Sequence, residues 1–324
     1  ELGRGGMGVV YQARQVTANR MVALKLIRPD QLSQFLPAER EQMLTRFRNE
    51  VQAAAKLEHD HAVTVYDVGE SAGQLYYAMR FVEGEPMSRV IAQLLQTQTR
   101  EKTDSHDESA SRQAIASMDE TSPLAALSTQ RTITEREFFP CVARIGVQVA
   151  EAIDHAHQQG VIHRDIKPAN IIVDHKGKPW VTDFGLARLE AGGTMTMTGD
   201  LLGTLRYMSP EQALAKRAVI DHRTDIYALG ATLYELLTLR PAFVDEDRHE
   251  LLRKISFEDP PALRKINRSI PEELEIIILK SLSKSASDRY DTAQEFADDL
   301  QRFIDDKPIL AKRPGLIQVG TQWM

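Results

Sequence analysis

A polar segment near the middle of the chain lies between two apolar runs and carries His163, Arg164, Asp165, Lys167 and Asn170. Polar residues between two apolar strands ordinarily form a hairpin turn, which needs Gly, Asn or Asp at particular positions. Such a turn gives no reason for a carboxylate, an ammonium group and an amide at offsets of two and three residues. The side chains of this segment therefore indicate a loop that binds a ligand.

A glycine-rich motif, Gly3-Arg4-Gly5-Gly6-Met7-Gly8, opens the chain and fits the pattern G-x-G-x-x-G. In a dinucleotide-binding fold this motif leads from a strand into a helix, whereas here it leads into the β-prone residues Val9, Val10 and Tyr11. A glycine loop between two strands can lay free backbone N–H groups over phosphates, and Val10 would then cover a flat ring. For this motif taken alone, a purely structural glycine turn stays an alternative.

A lysine stands in an otherwise apolar strand, Val22-Ala23-Leu24-Lys25. Lysine is rarely buried without a partner, so one interpretation is an edge-strand lysine whose ammonium group reaches solvent. The other interpretation needs a carboxylate, and Glu50 on the following predicted helix is the candidate that would pair with Lys25 and aim it at phosphate oxygens. Many exposed helical glutamates look the same, so both interpretations stay open at this point.

Five stretches in order along the chain resemble the signature motifs of protein kinases. Besides the glycine loop and Val22–Lys25 they are His163–Asn170, Asp183-Phe184-Gly185 and Ser209-Pro210-Glu211. The resemblance covers about residues 3 to 304 and is strongest to bacterial serine/threonine kinases of the eukaryotic-like (Hanks) type, including the motif Asp225–Gly230. It implies transfer of the γ-phosphoryl group of ATP to Ser or Thr hydroxyls of proteins, with the kinase itself among the substrates.

The resemblance assigns a role to each polar residue of the central loop, because phosphoryl transfer depends mainly on placing charge. Asp165 would accept or orient the proton of the substrate hydroxyl, and Lys167 would neutralise charge on the transferring group. Asn170 and Asp183 would hold Mg²⁺, or Mn²⁺, since oxygen ligands suit a hard cation. Lys25, fixed by Glu50, would hold the α- and β-phosphates.

The same resemblance implies an ATP site in which the adenine lies between Val10 and Ala23 on one side and Ile172 on the other. Met79 would occupy the gatekeeper position, and the segment after it would offer backbone hydrogen bonds. The residues expected to contact ATP are Leu2, Gly3, Gly5, Gly6, Gly8, Val10, Ala23, Lys25, Met79, Arg80, Val82 and Ile172.

Lys167 and Thr204 are typical of kinases that phosphorylate Ser and Thr, with Tyr as the minor alternative. By resemblance, Glu211 and Arg289 would form a buried ion pair, and Asp225 would support the backbone of the catalytic loop. These three residues are expected to have structural roles.

Regulation is predicted from Arg164, which directly precedes Asp165 and leaves a guanidinium group to be neutralised. A phosphate on Thr196 or Thr198 would add about −1.5 to −2 charge and could bind Arg164 and Arg188. We therefore expect activating autophosphorylation at one of these threonines. The alternative is a solvated loop of Thr and Met with no regulatory role.

The composition excludes some classes of protein. The net charge of −6 argues against a nucleic-acid-binding surface as the main function. Cys141 is the only cysteine, so no internal disulfide can form and a reducing, cytoplasmic setting is expected. No stretch reaches the roughly 18 apolar residues of a membrane span. Because the chain opens inside its first motif, we expect it to be a fragment. The resemblance to bacterial kinases implies a parent chain that continues to a membrane anchor beyond residue 324.

The pattern of apolar residues predicts an α+β fold with two lobes. Residues 1–82 would form an N-lobe, a small antiparallel β-sheet with one regulatory helix over Pro37 to Leu57. Residues 83–306 would form a larger, mainly helical C-lobe, and residues 307–324 would begin a linker. Residues 96–132, rich in Ser, Thr and charged side chains and without an aromatic residue, are expected to be a disordered insertion.

Two other functions were weighed against a protein kinase. A pseudokinase, or ATP-binding scaffold module, usually lacks the lysine, the catalytic aspartate or the metal-binding aspartate, whereas Lys25, Asp165 and Asp183 are all present. A small-molecule kinase of related fold is disfavoured by Thr204 and Ser209-Pro210-Glu211, which would shape a surface for a peptide.

Overall fold

The computed structural model of this chain describes residues 1–5, 8–27, 37–71, 73–103, 135–184, 203–214 and 220–312. Within these ranges a β-rich N-terminal lobe precedes a mainly helical C-terminal lobe, as the apolar pattern predicts. No helix of the described ranges combines the length and the apolar composition that crossing a lipid bilayer requires.

The N-terminal lobe is built on an antiparallel sheet with the strand order β1-β2-β3-β5-β4. β-branched and aromatic residues favour these strands, and their alternation sends one face into the core. The bounds of the strands are Gly3–Arg4 (β1), Gly8–Gln15 (β2), Arg20–Ile27 (β3), Val65–Ser71 (β4) and Gln74–Arg80 (β5). The register pairs Val10 with Lys25 and Lys25 with Tyr77, so Lys25 lies in the middle of the sheet.

One helix, α1 (Pro37–Ala54), packs on this sheet. Phe47, Val51 and Ala54 recur at helical spacing and are buried, which makes them the face that contacts the strands. The sequence predicts a helix to Leu57, but the helix ends at Ala54 and Leu57 is buried beyond it.

The C-terminal lobe is organised around α3 (Glu135–Gln158), which packs against α5 and α9. The α3 helix is followed by Gly160, whose φ of +74° favours glycine, and the backbone N–H of Val161 bonds to the carbonyl of Ala156. The other helices are α2 (Met87–Thr103), α4 (Pro210–Ala213), α5 (Arg223–Thr238), α6 (Arg248–Phe257), α7 (Leu263–Ile266), α8 (Glu272–Ser281) and α9 (Ala293–Ile304).

A second sheet of three short antiparallel strands lies at the start of this lobe: β6 (Gly84–Pro86), β7 (Ile171–Asp174) and β8 (Pro179–Val181). The hairpin of β7 and β8 joins the predicted catalytic loop to the segment that contains Asp183. It therefore sets the distance between these two groups of polar residues.

Two segments differ from what the sequence predicts. The α2 helix runs to Thr103, so residues 96–103 of the expected disordered insertion are helical, and residues 104–132 lie outside the described residues. Gln, Arg, Glu and Lys favour helix, which lets α2 continue past its buried residue Leu94. Of the expected linker, residues 307–312 are anchored on α9, because the buried carboxylate of Asp299 accepts the N–H groups of Leu310 and Ala311.

A buried ion pair ties α4 to the segment that precedes α9. Arg289 donates two hydrogen bonds of 2.7 Å to the carboxylate of Glu211, and three further bonds to the carbonyls of Ser283, Arg223 and Lys284. Burial opposes ionisation of Glu211, yet the hydrogen bonds from Arg289 outweigh it and hold the pKa of Glu211 below its ordinary value. Both side chains of the pair are therefore charged, and each neutralises the other.

We predict that Arg289→Met lowers the free energy of unfolding by about 3–5 kcal/mol near neutral pH, because it leaves the carboxylate of Glu211 buried without its partner. The deficit should shrink as the pH falls below 4.5, the ordinary pKa of this group, since protonated Glu211 no longer needs a cation. Urea unfolding of both proteins near pH 7 and near pH 4 measures both effects.

The matched control is Arg253→Met, which removes an arginine from an exposed pair with Glu250 and Glu258. Because water screens that pair, the control should unfold like the wild type. A loss for Arg289→Met no larger than that of the control would contradict the role given to the buried pair.

Candidate active site

The polar loop that follows α3 is held in place by one buried carboxylate. Asp225, in the first turn of α5, accepts the backbone N–H groups of His163 at 2.8 Å and Arg164 at 2.7 Å. The ring Nε2 of His157 lies 2.8 Å from the same carboxylate. Burial opposes the charge of Asp225, but the hydrogen bond from His157 and the backbone donors outweigh it, so its pKa is lower than usual.

These bonds stabilise an uncommon backbone shape. Arg164 has a φ of +65°, in the left-handed region that residues other than glycine rarely adopt. Its carbonyl accepts a hydrogen bond of 2.9 Å from the side chain of Gln212 in α4. The residue that precedes Asp165 is thus fixed from α5 on one side and from α4 on the other.

Three residues that the sequence predicts as catalytic, metal-binding or substrate-contacting meet around Asp165. The ammonium group of Lys167 lies 2.8 Å from Oδ2 of Asp165 and donates to the hydroxyl of Thr204 at 3.1 Å. The amide of Asn170 donates to the same Oδ2 at 2.9 Å and to the backbone carbonyl of Asp165 at 2.7 Å. The structure therefore joins these side chains in one hydrogen-bonded group.

Asp183 lies at the end of the β7–β8 hairpin, also with a left-handed backbone, at φ +64°. Lys25 donates to its Oδ2 at 2.6 Å, and the hydroxyl of Tyr77 donates to its Oδ1 at 2.5 Å. Burial opposes ionisation of Asp183, but the nearby charge and hydrogen bond of Lys25 hold its pKa below the ordinary value. Asp183 is connected to the catalytic loop through Thr182, whose N–H bonds to the carbonyl of Asn170.

The pairing predicted for Lys25 is not the one observed. The carboxylate that Lys25 contacts is Asp183, whereas Glu50 lies half-buried on α1. Lys25 and Asp183 are both largely buried, and opposite charges attract most strongly where water is scarce. The sequence pointed to Glu50 for this role, and the structure shows Asp183 in contact with Lys25.

The predicted ATP site is lined by an apolar cluster between the two sheets. Ala23 and Met79 are buried in it, and Val10, Val82 and Ile172 pack against it partly exposed. These five residues therefore share one surface.

The glycine loop lies at one edge of this surface. Gly5 and Gly8 exchange backbone hydrogen bonds of 3.0 and 3.3 Å, and Leu2 and Gly3 flank β2. A Cβ on Gly8 would meet the carbonyl oxygen of Leu26 at 2.0 Å, so this position requires glycine. Gly6 lies outside the described residues, as do the predicted regulatory residues Arg188, Thr196 and Thr198.

Arg80 contributes more than the backbone contact that the sequence predicts. Its guanidinium lies 4.3 Å from the ring centre of Trp180, and the ammonium of Lys178 lies 4.4 Å from it. The indole N–H of Trp180 bonds to Asp174. Since Trp180 belongs to β8 but packs in the apolar cluster of the first sheet, these contacts join the two lobes beside the ATP surface.

Sequence reasoning missed three residues of the site. Tyr77 reads as an ordinary core residue of a strand, His157 as one of several histidines on a helix, and Gln212 as a surface residue. Their roles depend on partners more than 40 positions away in the chain. Only the alternation of β5 offered a signal, since it places Tyr77 on the inward face.

Several known proteins and one protein family are similar to this chain. The profile of the protein kinase domain family matches residues 1–121 and 114–300. The chain is 33% identical to the serine/threonine-protein kinase PrkC of Bacillus subtilis over 96% of this chain and 41% of that protein. It is 34% identical to the serine/threonine-protein kinase PknB of Mycobacterium leprae over 95% of this chain and 42% of that protein. The chain thus spans about two fifths of the length of these relatives.

The kinase domain of Mycobacterium tuberculosis PknI, a solved structure, superposes with a TM-score of 0.61 at 25% sequence identity, covering 93% of this chain and 92% of that one. The match therefore extends over both lobes. The chain belongs to the protein kinase domain family and, within it, to the bacterial serine/threonine kinases of the eukaryotic-like type.

Proposed function

We propose that this chain transfers the γ-phosphoryl group of ATP to serine and threonine hydroxyls of proteins, itself included, with Mg²⁺ or Mn²⁺ as the metal. The observation that carries the proposal is the bonded group of Asp165, Lys167, Asn170 and Thr204, in which each polar contact is 3.1 Å or less. Phosphoryl transfer requires such placement of charge more than covalent participation of the protein.

Asp165 is the residue that would receive the substrate hydroxyl. Lys167 and Asn170 both contact its Oδ2, which fixes the orientation of the carboxylate. Among the described residues, no donor contacts Oδ1, so that oxygen is available to the incoming hydroxyl. Lys167 adds a positive charge beside the reacting group, and Thr204 holds Lys167 from the side of the substrate.

The residues expected to bind the metal fit a hard divalent cation. Asp183 offers carboxylate oxygens, and Asn170 uses its amide nitrogen on Asp165, which leaves its amide oxygen for a ligand. A bound cation would neutralise phosphate charge during transfer. Lys25, which lies 2.6 Å from Asp183, would exchange that carboxylate for the phosphates of ATP.

Regulation by autophosphorylation follows from the position of Arg164. Its backbone is bonded to Asp225 and its carbonyl to Gln212, directly before Asp165. A phosphate on Thr196 or Thr198 that bound Arg164 and Arg188 would act on the loop that carries the catalytic carboxylate. We infer activation at these threonines.

We also infer the division into an N-lobe of residues 1–82, a C-lobe of residues 83–306 and a following linker. A reducing, cytoplasmic setting is supported by the single cysteine, Cys141, whose thiol pKa burial raises. A thiol of this kind is unreactive.

We predict that Asp165→Asn lowers kcat by about 100- to 10,000-fold, because it removes the proton acceptor while keeping the shape of the side chain. Incubation of both proteins with labelled ATP and Mg²⁺, followed by mapping of phosphorylated residues, measures the change. ATP affinity should be preserved. If neither protein incorporates label while both bind ATP, the ATP-binding scaffold is the better description.

Thr204→Val should lower kcat about 10- to 100-fold, because a hydrogen bond to a charged group contributes about 1.5–3 kcal/mol. Thr204→Ser keeps the hydroxyl and should retain most of the activity. Steady-state rates on one peptide that contains both Ser and Thr acceptors compare the three proteins. Wild-type activity in Thr204→Val, which keeps the methyl group and lacks the hydroxyl, would show that the bond to Lys167 is not needed.

The double variant Thr196→Ala, Thr198→Ala should keep its basal kinase activity. Preincubation with ATP should not raise that activity. Wild type should gain activity as label appears at one of these residues. Time courses with and without preincubation test this, with Thr194→Ala as the matched control in the same segment. Full activation of the double variant would contradict the regulatory proposal.

A further inference from the structure

Both oxygens of the Asp183 carboxylate are occupied by side chains of the β-sheet. Lys25 donates a hydrogen bond to Oδ2 at 2.6 Å, and the hydroxyl of Tyr77 donates one to Oδ1 at 2.5 Å. The proposed mechanism uses Lys25 and Asp183 but gives no task to Tyr77. A tyrosine that is 1% exposed and aims its hydroxyl at the metal-binding carboxylate requires an explanation beyond core packing.

The sheet itself brings the two donors together. Lys25 on β3 and Tyr77 on β5 are direct partners in the antiparallel register, so their side chains leave the same face of the sheet side by side. The ammonium of Lys25 lies 5.7 Å from the ring centre of Tyr77. Asp183 therefore meets a preformed pair of donors, one charged and one neutral.

Packing fixes the position of the Tyr77 hydroxyl. The ring of Phe47, on α1, lies 6.3 Å away at an angle of 53°, and Met79 lies beside it in the same buried cluster. An adjoining cavity of about 10 Å³, lined in part by Tyr77, Asp183 and Val51, is at the lower limit for one water molecule. The ring is rigid, so this packing fixes the position of the hydroxyl beside Asp183.

The two donors differ in what they can do when substrate binds. Lys25 carries a charge that phosphate oxygens attract, whereas the hydroxyl of Tyr77 has Asp183 as its one hydrogen-bond partner among the described residues. Each carboxylate oxygen has two lone pairs, so Oδ1 can keep the bond to Tyr77 while it contacts a cation.

We propose that Tyr77 is a positioning residue for metal binding: its hydroxyl holds Asp183 in one orientation while Lys25 leaves Oδ2 for the phosphates. This rests on the proposed function, in which Asp183 binds the metal. Groups that hydrogen-bond a metal-ligating carboxylate commonly change metal affinity about 10- to 100-fold when removed. A tyrosine that only fills the core would change stability and leave metal affinity as it is.

The test compares Tyr77→Phe with the wild type in Mg²⁺-dependent binding of a fluorescent ADP analogue, which involves no phosphoryl transfer. The Mg²⁺ concentration for half-saturation should rise about 10- to 100-fold in Tyr77→Phe. Affinity for the analogue without metal should stay within about twofold of the wild type, because the adenine surface is untouched. A Mg²⁺ requirement within twofold of the wild type would overturn the proposal.

Tyr76→Phe is the matched control, because it makes the same change one position earlier on β5 and on the opposite face of the sheet. It should bind Mg²⁺ and the analogue like the wild type. An equal effect of both variants would mean that loss of a hydroxyl disturbs the strand in general, which also overturns the proposal.

Combining Tyr77→Phe with Asp183→Asn tests whether Tyr77 affects metal binding through Asp183 or in another way. In that background Tyr77→Phe should have no further effect on Mg²⁺-dependent binding, since the carboxylate it positions is gone. A full additional loss would show that Tyr77 acts elsewhere. A wild type that binds Mg²⁺ and nucleotide but transfers no phosphate would contradict the proposed function and leave the role of Tyr77 in metal binding intact.

Discussion

Asp225 and the donors around it determine where the catalytic loop lies. An ionised carboxylate away from water must be compensated by hydrogen bonds, and Asp225 obtains them from His157 at the end of α3 and from two backbone N–H groups of the loop. The loop gains a fixed shape that includes the left-handed residue Arg164. Because α5 is the most deeply buried helix of the C-terminal lobe, the position of Asp165 depends on the core.

The same loop is connected outward to the segment that faces the substrate. Gln212 reaches the carbonyl of Arg164, Lys167 reaches Thr204, and the pair of Glu211 and Arg289 ties this segment to the end of the lobe. Toward the nucleotide, Thr182 and Asn170 join the loop to Asp183. The residues proposed as proton acceptor, substrate contact and metal ligand therefore form one connected set of bonds, with Asp165 between them.

How far the sequence predicts this arrangement depends on where the partners lie in the chain. Asp165, Lys167 and Asn170 are close in sequence, so their spacing indicated a site and the kinase motifs gave their roles. The contact of Lys25 with Asp183 was not predicted, because it joins residues 158 positions apart in the chain. The contact of Tyr77 with Asp183 was not predicted, because it depends on strand register and on a residue 106 positions away. The overall fold was easier, since apolar periodicity is a local property.

Trp180 adds an optical property to the contacts between the lobes. It is one of two tryptophans in the chain, and its ring centre lies 4.3 Å from the guanidinium of Arg80 and 4.4 Å from the ammonium of Lys178. Indole emission depends on nearby charge and on the mobility of its neighbours. A change in the angle between the lobes would move Arg80 relative to the ring, so intrinsic fluorescence can follow opening and closing in the unlabelled protein.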